Sequence, residues 1–140
     1  MKKTVFILST IICVLLLLCI KLVYNNYHKP YIKYRIENIE KIIITNNEAE
    51  QFEIIESNKS KLVEFFNNVP LYKSFLRKPS NETADIYIKM YDENENLIHS
   101  FQIYEANGIL MENGHYSLDS FCYMKNNSLL KLKGILELNW

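Results

Sequence analysis

The chain opens on an apolar run, Thr4 to Ile20, that holds no charge and is bracketed by Lys2, Lys3 and Lys21. A spanning helix needs about 20 apolar residues, with a range of roughly 17 to 25. Lys21 can extend its ammonium to headgroups along its methylene stem, which brings Leu22 and Val23 into the buried length. The run therefore predicts a transmembrane anchor over residues 1–23. Tyr24, Tyr27, Tyr31 and Tyr34 follow at spacings of three and four. They read equally as an interfacial aromatic belt and as a tyrosine-rich linker over residues 24–35. Pro30 disfavours helical backbone at Lys29 and so ends any helix leaving the membrane.

From residue 36 to 140 the period shortens and a folded domain is expected. Ile39 to Thr45 is rich in β-branched residues and closed by Asn46-Asn47, a strand and a turn. Gln51 to Glu56 places Phe52 and Ile54 on one face and predicts a second strand paired to the first. Ser57 is the expected N-cap of a helix whose stripe is Leu62, Val63, Phe65, Phe66 and Val69. Pro70 stops it, and Leu71 to Thr83 reads as a loop. In Asp85 to Tyr91, Ile86, Ile88 and Met90 share a face. Asp92 to Asn96 is a polar turn, and Leu97 to Glu105 returns as a strand. Asn107-Gly108 predicts a type I′ hairpin into Ile109–Glu112, because both residues tolerate positive φ. Asn113-Gly114 repeats that signal ahead of an expected edge strand, His115 to Leu118. A last helix, capped by Asn127 or Ser128, carries Leu129, Leu130, Leu132, Ile135, Leu136 and Leu138. Gly134 weakens it by about 1 kcal/mol relative to Ala. Trp140 is expected to pack back on the core.

Tight turns make antiparallel pairs, and each helix needs a sheet face for its stripe. The fold class is therefore α+β. After the membrane helix comes an antiparallel sheet of about five to six strands with two helices on one face. Roughly 105 residues remain for the domain, enough for one core and no second domain.

Composition narrows the surroundings. The 140 residues carry zero formal net charge, unevenly placed. Glu82 to Asp119 holds eight acids against the single base Lys89. Such a segment excludes a nucleic-acid face, which needs a basic patch. The basic stretch after the anchor suits anionic lipid headgroups. A signal-like order of basic start, apolar middle and folded domain puts the domain outside the cytoplasm. Counting Lys21, Lys29, Lys33 and Arg35 alone favours the reverse. Bulky residues at the exit of the run argue against cleavage, and Leu18 before Cys19 argues against lipidation there. Cys122 is the only cysteine of the domain, so no internal disulfide forms, and its apolar setting marks a buried small hydrophobe.

Chemistry is sparse. Asp92-x-Asn94-x-Asn96 opens like a calcium loop, but Leu97 and Ile103 occupy the positions that need Gly and Glu. His99 and His115, with Glu112 or Asp119, form a conceivable zinc set but lack a tight ligand spacing. No cofactor is called for. The aromatics are more telling, with ten Tyr and seven Phe. Tyr87, Tyr91 and Tyr104 fall opposite Ile86, Ile88 and Phe101. Cross-strand pairing accounts for them first, and an open binding face second. The candidate binding residues are Tyr87, Tyr91, Tyr104, Lys73, Arg77 and Lys78. Anchor plus compact α+β domain resembles the small membrane-anchored or lipid-anchored extracytoplasmic domains of Gram-positive bacteria. The resemblance rests on architecture and composition and implies no site residue. The expected function is a single-pass membrane-anchored interaction module, held to lipid by its N-terminal helix and meeting a protein partner at the envelope. A small hydrolase using His99 or His115, and a structural subunit of a membrane complex, are the alternatives.

Overall fold

The computed structural model describes residues 2–46, 48–73, 83–112 and 121–137. The expected edge strand His115–Leu118, the Asn113-Gly114 turn, Arg77, Lys78, Asp119, Leu138 and Trp140 lie outside them.

Helix α1 runs from Lys2 to His28. Its 21-residue stretch Val5–Asn25 has a mean hydropathy of 2.9 and is not buried by the domain. It is long and apolar enough to cross a membrane. The helix stops just before Lys29 and Pro30, as the proline dictates. The segment expected as a linker then divides. Tyr31 exchanges two backbone hydrogen bonds of 2.9 Å with Leu71. Tyr34 and Ile36 are buried in the core. The side chain of Asn67 clamps Ile36, accepting from its N–H and donating to its carbonyl. Tyr31 and Tyr34 thus belong to the domain, because a phenol ring packed on phenylalanines removes more apolar surface from water than a headgroup contact.

Seven strands follow: β1 Lys41–Asn46, β2 Gln51–Glu53, β3 Leu71–Lys73, β4 Ile86–Tyr91, β5 Leu97–Tyr104, β6 Ile109–Glu112 and β7 Phe121–Met124. They form one sheet in the order β2-β1-β4-β5-β6-β7-β3. Every neighbouring pair is antiparallel. The expected five to six strands become seven because β3 and β7 pair with each other. Each is too short to show an alternation by itself, and their pairing joins distant parts of the chain.

Helices α2 (Glu56–Asn68) and α3 (Asn126–Glu137) pack against the same face of the sheet. Ser57 does not cap α2. The cap position is Ile55, in extended backbone and without a side-chain bond. Ile54 donates to the Ile42 carbonyl and plugs into the core, so the chain must turn at Ile55. The Ile55 carbonyl then accepts the first helical N–H groups. Asn107-Gly108 does not form a type I′ turn either. Glu105–Asn107 is a 3₁₀ turn closed by Gly108 at φ 62°. Asp85 draws it in by accepting the Glu105 N–H at 2.8 Å. A Cβ at Gly108 would lie 2.6 Å from the Met124 carbonyl oxygen, so glycine is required for closeness as well as for φ.

The core lies between sheet and helices. Phe66 and Phe101 stack with centroids 4.5 Å apart, and Tyr34 meets Phe101 edge-on at 4.9 Å. Ile42, Ile44, Ile88, Met90, Ile103, Leu110 and Leu132 close around them.

Candidate functional site

The face of the sheet away from the helices is built by the residues that alternate with the core. Register aligns them in rows. One row runs Tyr104, Ile109, Tyr123, Tyr72 across β5, β6, β7 and β3. The next holds Tyr87, Gln102, Met111 and Phe121. At the far end of the sheet Lys41, Tyr91 and Leu97 align across β1, β4 and β5. β2 continues beside β1 past Glu53, since Ile54 still bonds to Ile42. Ile55 therefore comes level with Lys41 at that same end.

The rows differ in exposure. Tyr104, Ile109 and Ala84 form a second small buried cluster, with Tyr87, Phe121 and Tyr123 packed against it. Tyr72 stacks on Tyr123 at 5.1 Å, and the Lys125 ammonium sits 4.9 Å above the Tyr72 ring. Tyr104 donates its hydroxyl to Gln102 at 3.0 Å, and burial raises its pKa. Tyr104 is only 5% exposed, so it is a packing residue, contrary to its place among the binding candidates. Tyr87 is half-buried and accepts the Ala84 N–H through its hydroxyl at 3.3 Å. Tyr91 is also half-buried; beside it Leu97 is 51% and Ile98 45% exposed, and across Lys41 Ile55 is 56% exposed. Lys73 is exposed but pairs with Cys122, a core residue, so register puts it on the helix side of the sheet. It does not join the tyrosines.

Ile55, Leu97 and Ile98 are functional candidates that pattern reading missed. The available signal was Leu97-Ile98 itself, two adjacent apolar residues just after a polar turn. A register shift between Met90 and Tyr91 accommodates them. The turn supplies an acidic rim. The Asp92 carboxylate accepts from the backbones of Asn94 and Asn96 and from the Asn96 amide at 2.8–3.0 Å. The Asn96 bonds hold its pKa below the usual value. Those oxygens are consumed by their own turn, which favours the hairpin over a calcium loop. Exposed Glu93, Glu95 and Glu53 complete the rim, and Lys41 lies 3.8 Å from Glu53.

The histidine option resolves differently. His99 sits on the core side, its Nδ1 2.9 Å from Glu112 Oε1 and its ring stacked on Phe101 at 5.7 Å. Cys122 is fully buried and its Sγ–H donates to the Leu110 carbonyl. Burial pushes its thiol up to about 11, so it stays neutral and unreactive at physiological pH. Burial likewise raises the pKa of Tyr34. No group of three metal-ligating side chains converges among the described residues. His115, the other expected base, lies outside them.

Comparison of the chain with protein-family models, with curated proteins and with solved structures finds no match.

Proposed function

We propose that this protein is a single-pass membrane-anchored interaction module whose domain faces outside the cytoplasmic membrane and meets a protein partner through the far end of its open sheet face. The observation that carries this reading is the exposed apolar pair Leu97 and Ile98 beside half-buried Tyr91, with exposed Ile55 beyond Lys41 on the same end of the sheet and the acidic turn of Glu93 and Glu95 at its edge. Large aliphatic side chains left half in water on an ordered sheet gain by being covered. Tyrosine among them adds rigid contact area at little conformational cost. Glu53 is matched by Lys41, so the turn acids Glu93 and Glu95 are the ones that favour a partner with basic residues beside its apolar contact. Helix α1 supplies attachment, and the signal-like order of basic start, apolar run and folded domain supports the outward orientation, although Lys21, Lys29, Lys33 and Arg35 after the run weigh the other way.

The test is site-specific photocross-linking of the full chain in cells. Benzoylphenylalanine at Leu97 is expected to give one discrete adduct, absent when the probe replaces Leu130 on the outer side of α3. Changing Glu93 and Glu95 together to Lys is expected to remove that adduct. Identical adducts from both positions, or none from position 97, contradict the reading.

A further inference from the structure

Charge is divided between the two edges of the sheet. Residues 37–56, which carry β1, β2 and the start of α2, hold six acids against one base, Lys41. The opposite edge strand is β3. Residues 29–36, 69–73 and 121–125 come together there and hold five cations and no acid. Arg35 is taken up by Glu37. The other four cations are Lys29, Lys33, Lys73 and Lys125.

The fold gathers these lysines where the domain meets α1. The end of α1 lies against β3. Lys29 stands between His28, the last residue of α1, and Tyr31, which bridges to Leu71. Leu71 is level with Met124, so Lys125 follows at the same end of the edge. Lys73 is two residues further along β3, on the helix side with Cys122. The Lys125 ammonium is on the other side, over the Tyr72 ring. Cations therefore flank the edge on both faces. Lys29, Lys73 and Lys125 are exposed, Lys33 is half-buried, and Ile32 beside it is 59% exposed.

We propose that the β3 edge docks on the anionic headgroups of the membrane that α1 spans, with Lys29, Lys33, Lys73 and Lys125 among the phosphates and Ile32 at the interface. A lysine near an anionic surface favours contact about fivefold. A bilayer offers phosphates across the whole edge, whereas a free anion meets only one or two of these side chains. The same surface repels the acidic β2 edge, so the domain stands with β1, β2 and the partner-binding end turned away from the lipid. This inference rests on the reading of α1 as a span. It holds in either orientation and does not require the protein partner.

The test uses the full chain with Cys13→Ser and Cys19→Ser, reconstituted in nanodiscs that carry a trace of nickel-chelating lipid. A spin label is placed at Asn127→Cys, next to the basic edge, or at Asn94→Cys in the β4–β5 turn. Protection of the buried Cys122 from labelling verifies the fold of each variant. At position 127, relaxation by nickel is expected to be at least threefold stronger in phosphatidylglycerol discs than in phosphatidylcholine discs, and at position 94 unchanged. Salt at 1 M is expected to abolish the difference, since it screens charges beyond about 3 Å. Lys73→Glu with Lys125→Glu is expected to abolish it as well. Equal relaxation at position 127 in the two lipids would overturn the proposal. So would a difference that survives Lys73→Glu with Lys125→Glu, which would assign it to the linker lysines alone. Failure of the chain to co-elute with the discs would instead overturn the span itself.

Discussion

On one face of the sheet Phe66 and Phe101 stack 4.5 Å apart with no solvent exposure, and on the other Tyr91 is half-buried beside a Leu97 that is 51% exposed. Both faces are apolar in sequence. The helix side closes because α2 and α3 bring a stripe of matching spacing, Leu62, Phe65 and Phe66 with Leu129, Leu132 and Leu136. The other side has its own small cluster around Tyr104 and Ile109, but that cluster stops two rows short of the β4–β5 turn. Alternation therefore tells which residues share a face. Only the packing tells which face is finished.

The contrast is sharpest in stability, measured on the full chain in micelles by how fast the buried Cys122 thiol becomes reactive in denaturant. Phe66→Ala empties the centre of the closed face and is expected to lose about 3–5 kcal/mol, since its neighbours cannot collapse into the space. A loss below about 1 kcal/mol would mean that the two faces are packed alike.

Asn67→Ala comes next. It removes both hydrogen bonds to Ile36 and leaves that buried residue's backbone unsatisfied, at an expected loss of about 2–3 kcal/mol. The same variant releases the segment that follows α1, so hydrogen exchange at residues 31–36 is expected to rise with it. Unchanged protection there would show that the Tyr31–Leu71 bridge holds the segment alone.

A pH series probes the closed face without mutation. The Cys122 thiol is raised by burial from 9.0 to about 11 in the folded state. Because the folded value is the higher one, its stabilisation is complete below pH 9 and is lost as the pH rises towards 11. The expected loss is about 2 kcal/mol by pH 11. The raised Tyr34 adds to it in the same direction above the ordinary tyrosine range. Cys122→Ala, followed in denaturant by circular dichroism because it lacks the thiol, is expected to remove the part of the slope that begins near pH 9.

The open face should respond least. Leu97→Ser is expected to change stability by less than about 0.5 kcal/mol, as a surface substitution does, while abolishing the cross-link. A stability loss of the size seen for Phe66→Ala would make Leu97 a core residue and end its candidacy.

Much of this architecture was legible in the chain. The charge-free run to Ile20 marked the apolar helix, and the alternation of Ile86, Ile88 and Met90 marked β4 and its buried side. The stripe Leu62, Phe65 and Phe66 gave α2, and Pro70 its end. What escaped was set by contacts between distant residues. Leu71–Lys73 becomes a strand only because Phe121–Met124 lies alongside, and Tyr34 leaves the expected linker because Phe101 and Phe66 offer it a ring-lined slot. The start of α2 follows from where Ile54 is anchored, which overrides the local preference of Ser57 for a cap. Of the six binding candidates, Tyr87 and Tyr91 fall on the open face with partial exposure. Tyr104 is packed away, and Lys73 points to the other side of the sheet. Leu97 and Ile98 were hidden because an apolar residue in a strand is read as core until its exposure is known.

The most direct measurement is the labelling rate of Leu97→Cys with a membrane-impermeant maleimide, compared with Leu130→Cys, in a Cys13→Ser, Cys19→Ser background. In intact cells Leu130→Cys is predicted to label as fast as in the purified protein, which places the domain outside. Leu97→Cys is predicted to label at least tenfold more slowly in cells than when purified, because a partner covers it. Labelling of either position only after lysis would put the domain in the cytoplasm. Equal rates for Leu97→Cys in cells and in the purified protein would show that its face works uncovered, and either result contradicts the account.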